Sequence, residues 1–159
     1  MTEVLEKYDS TGDTLKHIMR VRDLLDEFCI EMMRRGAVHD ASKLGPDEKP
    51  YFDEATPRLK NLTYGTEEYK KSLASIRPAI DHHVNNNSHH PEYYANGING
   101  MDLMDLVEMF FDWKAASERV KDGNFLKGLK INQERFEMSD QLTKIFENTA
   151  RRLGWDERQ

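Results

Sequence analysis

The stretch MDLMDLVEMFFDWKAASER, residues 101–119, decides how the chain folds. Leu103, Leu106, Val107, Phe110 and Phe111 recur at helical spacing, which predicts a helix strongly apolar on its core face. Asp105, Glu108 and Asp112 fall at i, i+3 and i+7 on another face of the same helix. Burying a carboxylate costs several kcal/mol unless it is paired or bound to a metal, so an acidic stripe on so apolar a helix is either solvated or functional.

On the C-terminal side, Asp122-Gly123-Asn124 reads as a turn. Residues 132–153 read as a last amphipathic helix carrying Phe136, Met138, Leu142, Ile145 and Phe146. Lys114, Lys127, Lys130 and Arg135 fit a wet surface as well as a phosphate contact. On the N-terminal side, residues 67–84 read as one helix with the stripe Leu73, Ile76, Ile80 and Val84. His83 faces the core on this helix more directly than His82 does. Asn85-Asn86-Asn87-Ser88 breaks it, and His89-His90-Pro91-Glu92 follows in a loop stiffened by proline. Residues 46–69, punctuated by Pro50, Pro57 and Gly65, are expected to form short helices and a loop, as a lid, a substrate wall or a plain connection.

Earlier still, Ser10-Thr11-Gly12-Asp13 is a helix-start signal. The helix is expected from about Thr14, with His17, Val21, Leu24 and Phe28 pointing inward. Residues 24–35 continue as helix, Gly36 ends the run, and a new short segment carries His39 and Asp40 until Gly45-Pro46 turns the chain. Strand signals are nearly absent. The expected fold is therefore all-α, a single-domain helical bundle over residues 14–153, with a polar N-terminal segment 1–13 and a tail 154–159.

A chain of 159 residues buries ~70% of its unfolded surface, enough for a core that needs no staple. The lone cysteine, Cys29, makes no internal disulfide and is expected to be a small buried apolar residue. No apolar run is long enough for a signal peptide or a membrane span, so a reducing cytoplasm and no membrane partner are expected. The net charge of −6 gives no support to a groove for a nucleic-acid polymer.

Val38-His39-Asp40-Ala41-Ser42-Lys43 carries the chemistry. An adjacent imidazole and carboxylate can hold one metal ion together, with a lysine one helical turn away. A dipeptide cannot fill a coordination sphere, so further ligands must come from His17, His82-His83, His89-His90 and the acids Asp105, Glu108 and Asp112. Four imidazoles within nine positions, residues 82–90, are hard to explain as packing.

The order His17, His39-Asp40, later histidines and a final acid resembles the HD superfamily of metal-dependent phosphohydrolases, all-helical bundles with the pattern H, HD and a distant D. His39 to Pro46 looks like the HD-x-x-K-x-G segment of cyclic-dinucleotide phosphodiesterases, although their glycine-tyrosine-proline signature is replaced here by His89-His90-Pro91-Glu92-Tyr93-Tyr94. Phe111-Asp112-Trp113-Lys114-Ala115-Ala116 is similar to the terminal ligand helix, which makes Asp112 the matching acid. The extra histidines resemble the two-metal branch, which also contains diiron oxygenases. The whole chain looks like a family of small uncharacterised proteins frequent in phage genomes, marked here by His17 to Arg22, His39 to Lys43, His89 to Glu92 and Glu108 to Trp113. A phage origin would place it in the host cytoplasm.

The resemblance implies a metal-dependent phosphohydrolase acting on a small phosphorylated molecule, a nucleotide being the natural substrate. It implies two divalent ions, with Fe, Mn, Zn, Co and Mg all open. His17, His39, Asp40 and Asp112 would bind one ion, and Asp40 would bridge to a second held by His83 and His89 or His90. Lys43 would stabilise phosphate charge or protonate the leaving oxygen, and Glu108 would orient a ligand or take a proton. The alternatives are a diiron oxygenase on the same scaffold and a non-catalytic nucleotide-binding module.

Overall fold

A computed structural model of the chain describes residues 8–63, 65–119 and 123–155. The expectations for residues 1–7 of the N-terminal segment, for Tyr64, for Asp122 of the turn and for residues 156–159 of the tail lie outside the described residues. Within them the protein is all-α, with seven α-helices and no strand. None of these helices is long and apolar enough to cross a membrane.

The chain divides into two compact units, residues 1–38 and 39–159. The first unit is dominated by α1 (Thr11–Val38), a single helix of 28 residues. It starts slightly before the expected Thr14 and passes straight through Gly36, which does not end it. Gly36 has no special backbone role here, since a Cβ there would meet nothing within 4 Å. No residue of α1 is buried. Val21 and Leu24, expected to face a core, are exposed, as is Cys29, expected to be buried. The apolar stripe of α1 is real as a pattern, but periodicity states which side chains share a face and not what that face meets.

The second unit begins with a turn at His39-Asp40. Asp40 adopts the left-handed conformation (φ 56°, ψ 14°), and a short 3-10 turn, Ala41–Leu44, follows. A short polar side chain tolerates this region better than most, which lets an aspartate hold the position.

Next come α2 (Lys49–Leu59), α3 (Glu67–Ala74) and α4 (Arg77–Asn86). The single helix expected over residues 67–84 is thus two. Pro78 is the reason: it cannot donate in a helix interior, and here it occupies the first turn of α4, where no donor is needed. A loop with 3-10 turns at Pro91–Tyr93 and Gly97–Gly100 leads to α5 (Leu103–Glu118), then α6 (Phe125–Arg135) and α7 (Asp140–Arg152).

The last helix expected over residues 132–153 is also two. The break lies at Glu137, in the left-handed region (φ 51°), and Ser139 caps α7 by accepting from the Leu142 N–H at 3.2 Å. The start of α5 is secured by a reciprocal cap: Asp102 accepts from the Asp105 N–H at 2.9 Å, and Asp105 accepts from the Asp102 N–H at 3.2 Å.

The core joins α5, α6 and α7. Met109, Phe110, Phe125, Leu129, Met138, Phe146 and Ala150 are buried together. The Phe110 ring is its hub, with ring centroids of Phe146, Trp155 and Phe125 at 4.9, 5.1 and 5.2 Å. Such aromatic pairs add about 0.5–1.5 kcal/mol each beyond the area they bury. A smaller layer of α2, α3 and α4, with Ala55, Ile76 and Ala79 buried, packs around the turn that follows Asp40.

Candidate metal centre

Four elements deliver side chains to one point. The turn at the start of the second unit supplies His39 and Asp40, α4 supplies His83, the loop after α4 supplies His89 and His90, and α5 supplies Glu108 and Asp112. Asp40 stands in the middle. Its Oδ1 lies 3.0 Å from His83 Nε2 and 3.5 Å from His89 Nε2, and its Oδ2 lies 3.6 Å from His39 Nε2. His39 Nε2 is 3.5 Å from Asp112 Oδ1, and the Nε2 atoms of His83 and His90 are 2.9 Å apart. The close donors form three overlapping groups: an imidazole-rich group, Asp40 with His83, His89 and His90; a carboxylate-rich group, His39 with Asp40 and Asp112; and His39 with His89 and Glu108 between them. Asp40 belongs to the first two, the imidazole-rich and the carboxylate-rich group.

The opposite edges of three rings are already held. His39 Nδ1 donates to Glu108 Oε1 at 2.8 Å, and His89 Nδ1 lies 3.1 Å from the same oxygen. His83 Nδ1 donates to Glu48 Oε2 at 2.9 Å. A carboxylate that takes the Nδ1 proton turns Nε2 inward as a ligand, the usual support for a metal-binding histidine. His83 and His89 are 4% and 2% exposed, so these rings cannot rely on water. Two buried atoms, Asp40 Oδ1 and His89 Nε2, have no hydrogen-bond partner. Orphaned donors facing one another across 3.5 Å are costly unless something sits between them. Spacings of about 3.0–3.5 Å suit ligands held ~2.1 Å from a shared ion. The donor set therefore fits a divalent metal in both groups that share Asp40.

Without an ion, the excess of carboxylate draws protons in. The His39 imidazole is pushed up to about 9, mainly by its bond to Asp112 and against its burial, with Glu108 and Asp40 adding to the effect. Burial raises the Asp40 carboxyl, yet His83, His89 and Lys43 hold it well below the usual carboxylate range. Asp112 is lowered too, by its bond to His39 working against burial. Burial, reinforced by the charge of His89 and His83, pushes His90 down to about 3, so it is neutral at ordinary pH. The proton on His39 lies among the same donor atoms that would hold a cation, so the two would compete.

Lys43 Nζ pairs with Asp40 Oδ2 at 2.5 Å and lies 5.5 Å from the Phe52 ring centroid, with its side chain 31% exposed. Phe52 and Glu48 both come from the segment 46–69, so part of that segment forms a wall of the centre. Glu108 sits where a residue orienting His39 and His89 must sit. Asp105, one of the three candidate acids, serves another purpose. Buried to 2% exposure, it accepts from Ser88 Oγ at 2.7 Å and from the Tyr94 hydroxyl at 2.5 Å, pinning both ends of the loop that carries His89 and His90. Tyr94 is pushed up to about 12 by burial and by this bond. His17 is exposed on α1, and no group of close ligand atoms among the described residues includes it. His82 stands aside from the donors, half-buried, with Nδ1 donating to Glu48 Oε1 at 2.7 Å.

Sequence reasoning missed Glu48, Ser88 and Tyr94. For Glu48 the one available signal was chemical: a buried ligand histidine needs an acceptor for its other nitrogen, but no periodicity selects which of 29 acids supplies it. A separate cavity of about 600 Å3 lies beside α5 and α6, lined among others by Tyr69, Trp113 and Lys127. None of the centre's donors lines it, so this cavity and the centre are separate.

The chain belongs to the family described as a family of unknown function (DUF5662), which matches residues 6–152. No curated protein and no solved structure matches it.

Proposed function

We propose that this member of a family of unknown function is a metal-dependent phosphohydrolase of the HD type, acting on a small phosphorylated molecule, a nucleotide by its superfamily resemblance. One observation carries the reading. The Nε2 atoms of His39, His83, His89 and His90 converge with carboxylate oxygens of Asp40 and Asp112, while carboxylates occupy the far nitrogens of three of those rings.

Two divalent ions sharing Asp40 satisfy this set, His39 and Asp112 completing one position and His83, His89 and His90 the other. When bound, such a pair supplies a water acidified toward pKa ~7 and a clamp for phosphoryl oxygens. Asp40 would serve both positions, its Oδ1 facing His83 and His89 and its Oδ2 facing His39. Glu108 keeps His39 and His89 in ligating orientation. Lys43, partly exposed at the rim, is the cation placed to meet phosphate charge, exchanging Asp40 for substrate. The imidazole-rich position suits Fe, Zn or Co, and the carboxylate-rich position suits Mn or Mg as well.

The three-imidazole group also gives specific support to a second reading, a diiron oxygenase, because imidazole is a good iron ligand. Metal analysis of protein purified without added ions, followed by phosphate release from a panel of nucleotides and sugar phosphates with Mn2+ or Mg2+, tests the hydrolase. Phosphate release without oxygen uptake is the expected result. Oxygen consumption with iron and no phosphate product assigns the oxygenase instead, and a protein that binds no metal removes both readings.

A further inference from the structure

Glu48 is fully buried, and its two oxygens are claimed by consecutive residues of α4. Oε1 accepts from His82 Nδ1 at 2.7 Å and Oε2 from His83 Nδ1 at 2.9 Å. We propose that Glu48 is a positioning residue that fixes the tautomer and ring orientation of His83, and that His82 is a brace for Glu48, not a ligand. The metal part of this inference rests on the two-ion reading above; the tautomer part does not.

A carboxylate only accepts, so an imidazole nitrogen bonded to it must carry the proton. His83 Nδ1 has two other neighbours, Ser42 Oγ and Asn87 Nδ2, both at 3.1 Å. The serine hydroxyl donates or accepts, and the asparagine amide nitrogen only donates, so neither alone selects Nδ1–H. Glu48 does, so the Nδ1 proton is fixed, and the proton that Nε2 shares with Asp40 Oδ1 at 3.0 Å, beside His90 Nε2 at 2.9 Å, is the one an ion would displace. Asn87 Nδ2 gives its two hydrogens to Ser42 Oγ at 2.9 Å and the His83 carbonyl at 2.8 Å, so it has none left to donate to His83 Nδ1.

The second oxygen explains the doubled histidine. A glutamate held at one oxygen still pivots about its last torsion, which is broad and shallow. The His82 N–H on Oε1 removes that freedom, together with the Ser42 hydroxyl, which also bonds Glu48. His82 ends at the surface, with Nε2 3.8 Å from Asp47 Oδ2, and contributes nothing to the donor groups. Glu48 and Glu108 thus divide the work. Glu108 faces His39 of the carboxylate-rich group and His89 of the imidazole-rich group, whereas Glu48 governs only the latter.

The division gives a test in two arms. In metal-free protein, long-range proton–nitrogen correlation spectra of the histidine rings report tautomers directly. His83 is expected to carry its proton on Nδ1 in the native chain and to lose that preference in Glu48→Ala. A native His83 protonated on Nε2 alone, or one unchanged by Glu48→Ala, overturns the proposal.

In the second arm, Co2+ titrations followed by visible absorption compare the native chain, Glu48→Gln, Glu108→Gln and His82→Ala. Glu48→Gln is expected to weaken one ion by roughly 10–100-fold and leave the other at native affinity, Glu108→Gln to weaken both, and His82→Ala to weaken the Glu48-sensitive ion alone by less than Glu48→Gln does. Equal loss of both ions in Glu48→Gln, with an unchanged thermal midpoint, refutes selective positioning. If the native chain binds no cobalt, the metal reading fails while the tautomer arm still decides the role of Glu48. Glu48→Gln keeps size and one acceptor, so it covers the case in which Glu48→Ala does not fold.

Discussion

One side of α5 carries Met109 and Phe110 into a core of ring packed on ring, while another carries Glu108 and Asp112 to a centre of imidazoles and carboxylates. Both environments are buried in large part and lie within one turn of each other, yet they are held differently. The aromatic side is stabilised by area removed from water, a term indifferent to protons and ions. The polar side costs desolvation and is stable only while every donor and acceptor is matched, so it responds to pH and, on the proposed reading, to metal. The comparison teaches that α5 is the girder between stability and chemistry, and that the two can be damaged separately.

The largest expected loss of stability comes from the apolar side. Phe110→Ala removes the hub of three ring contacts and is expected to cost about 3–5 kcal/mol in denaturant unfolding, with metal stoichiometry unchanged in the molecules that remain folded. Loss of metal at native stability would reverse the proposed division of labour.

Asp40→Asn strikes the other side. Asparagine accepts the left-handed backbone at this position, so the fold is expected to persist, whereas both ions lose their shared ligand. Elemental analysis is expected to find neither ion, and retention of both would end the bridging role. Asp105→Asn is expected to cost about 1–3 kcal/mol, because the Tyr94 hydroxyl and the Ser88 hydroxyl compete for one remaining carbonyl acceptor. Metal affinity should fall with it, as the loop bearing His89 and His90 loosens; thermal melts and titrations on the same samples check both effects.

The smallest change is a pH slope. His39 is raised from 6.5 to about 9 in the folded metal-free protein, so its contribution to stability is complete below pH 6.5 and is lost as pH rises through 9. The metal-free thermal midpoint is therefore expected to decline across that window, and His39→Gln to flatten the decline. Metal affinity should run the opposite way, strengthening toward pH 9 as the competing proton leaves. Lys43→Ala, by contrast, is expected to leave metal content intact while phosphate release is lost; loss of the ions there would make Lys43 part of the centre's framework.

Much of this is legible in the sequence. The apolar stripe of α5 and the acids Glu108 and Asp112 are local consequences of helical spacing, and the inward turn of His83 relative to His82 follows from the same geometry. Other features were not legible for definite reasons. Two helices were read as continuous where Pro78 and the left-handed Glu137 interrupt them, because apolar periodicity survives a short break. His17 was read as inward because it shares a face with Val21, Leu24 and Phe28, yet that face buries nothing. Asp105 looked equivalent to its neighbours on the stripe, but its partners are Ser88 and Tyr94.

The sequence by itself determined the all-helical character of the chain and the inventory of donors, since both depend on spacing and residue type within a few turns. Only the tertiary structure decided which donors meet. Glu48 lies 35 residues from His83, and Glu108 lies 69 from His39, so their pairing is a matter of chain reversals and helix packing that no local pattern encodes. Buried charge must find its counter-charge wherever the fold brings it, and that search is resolved in three dimensions.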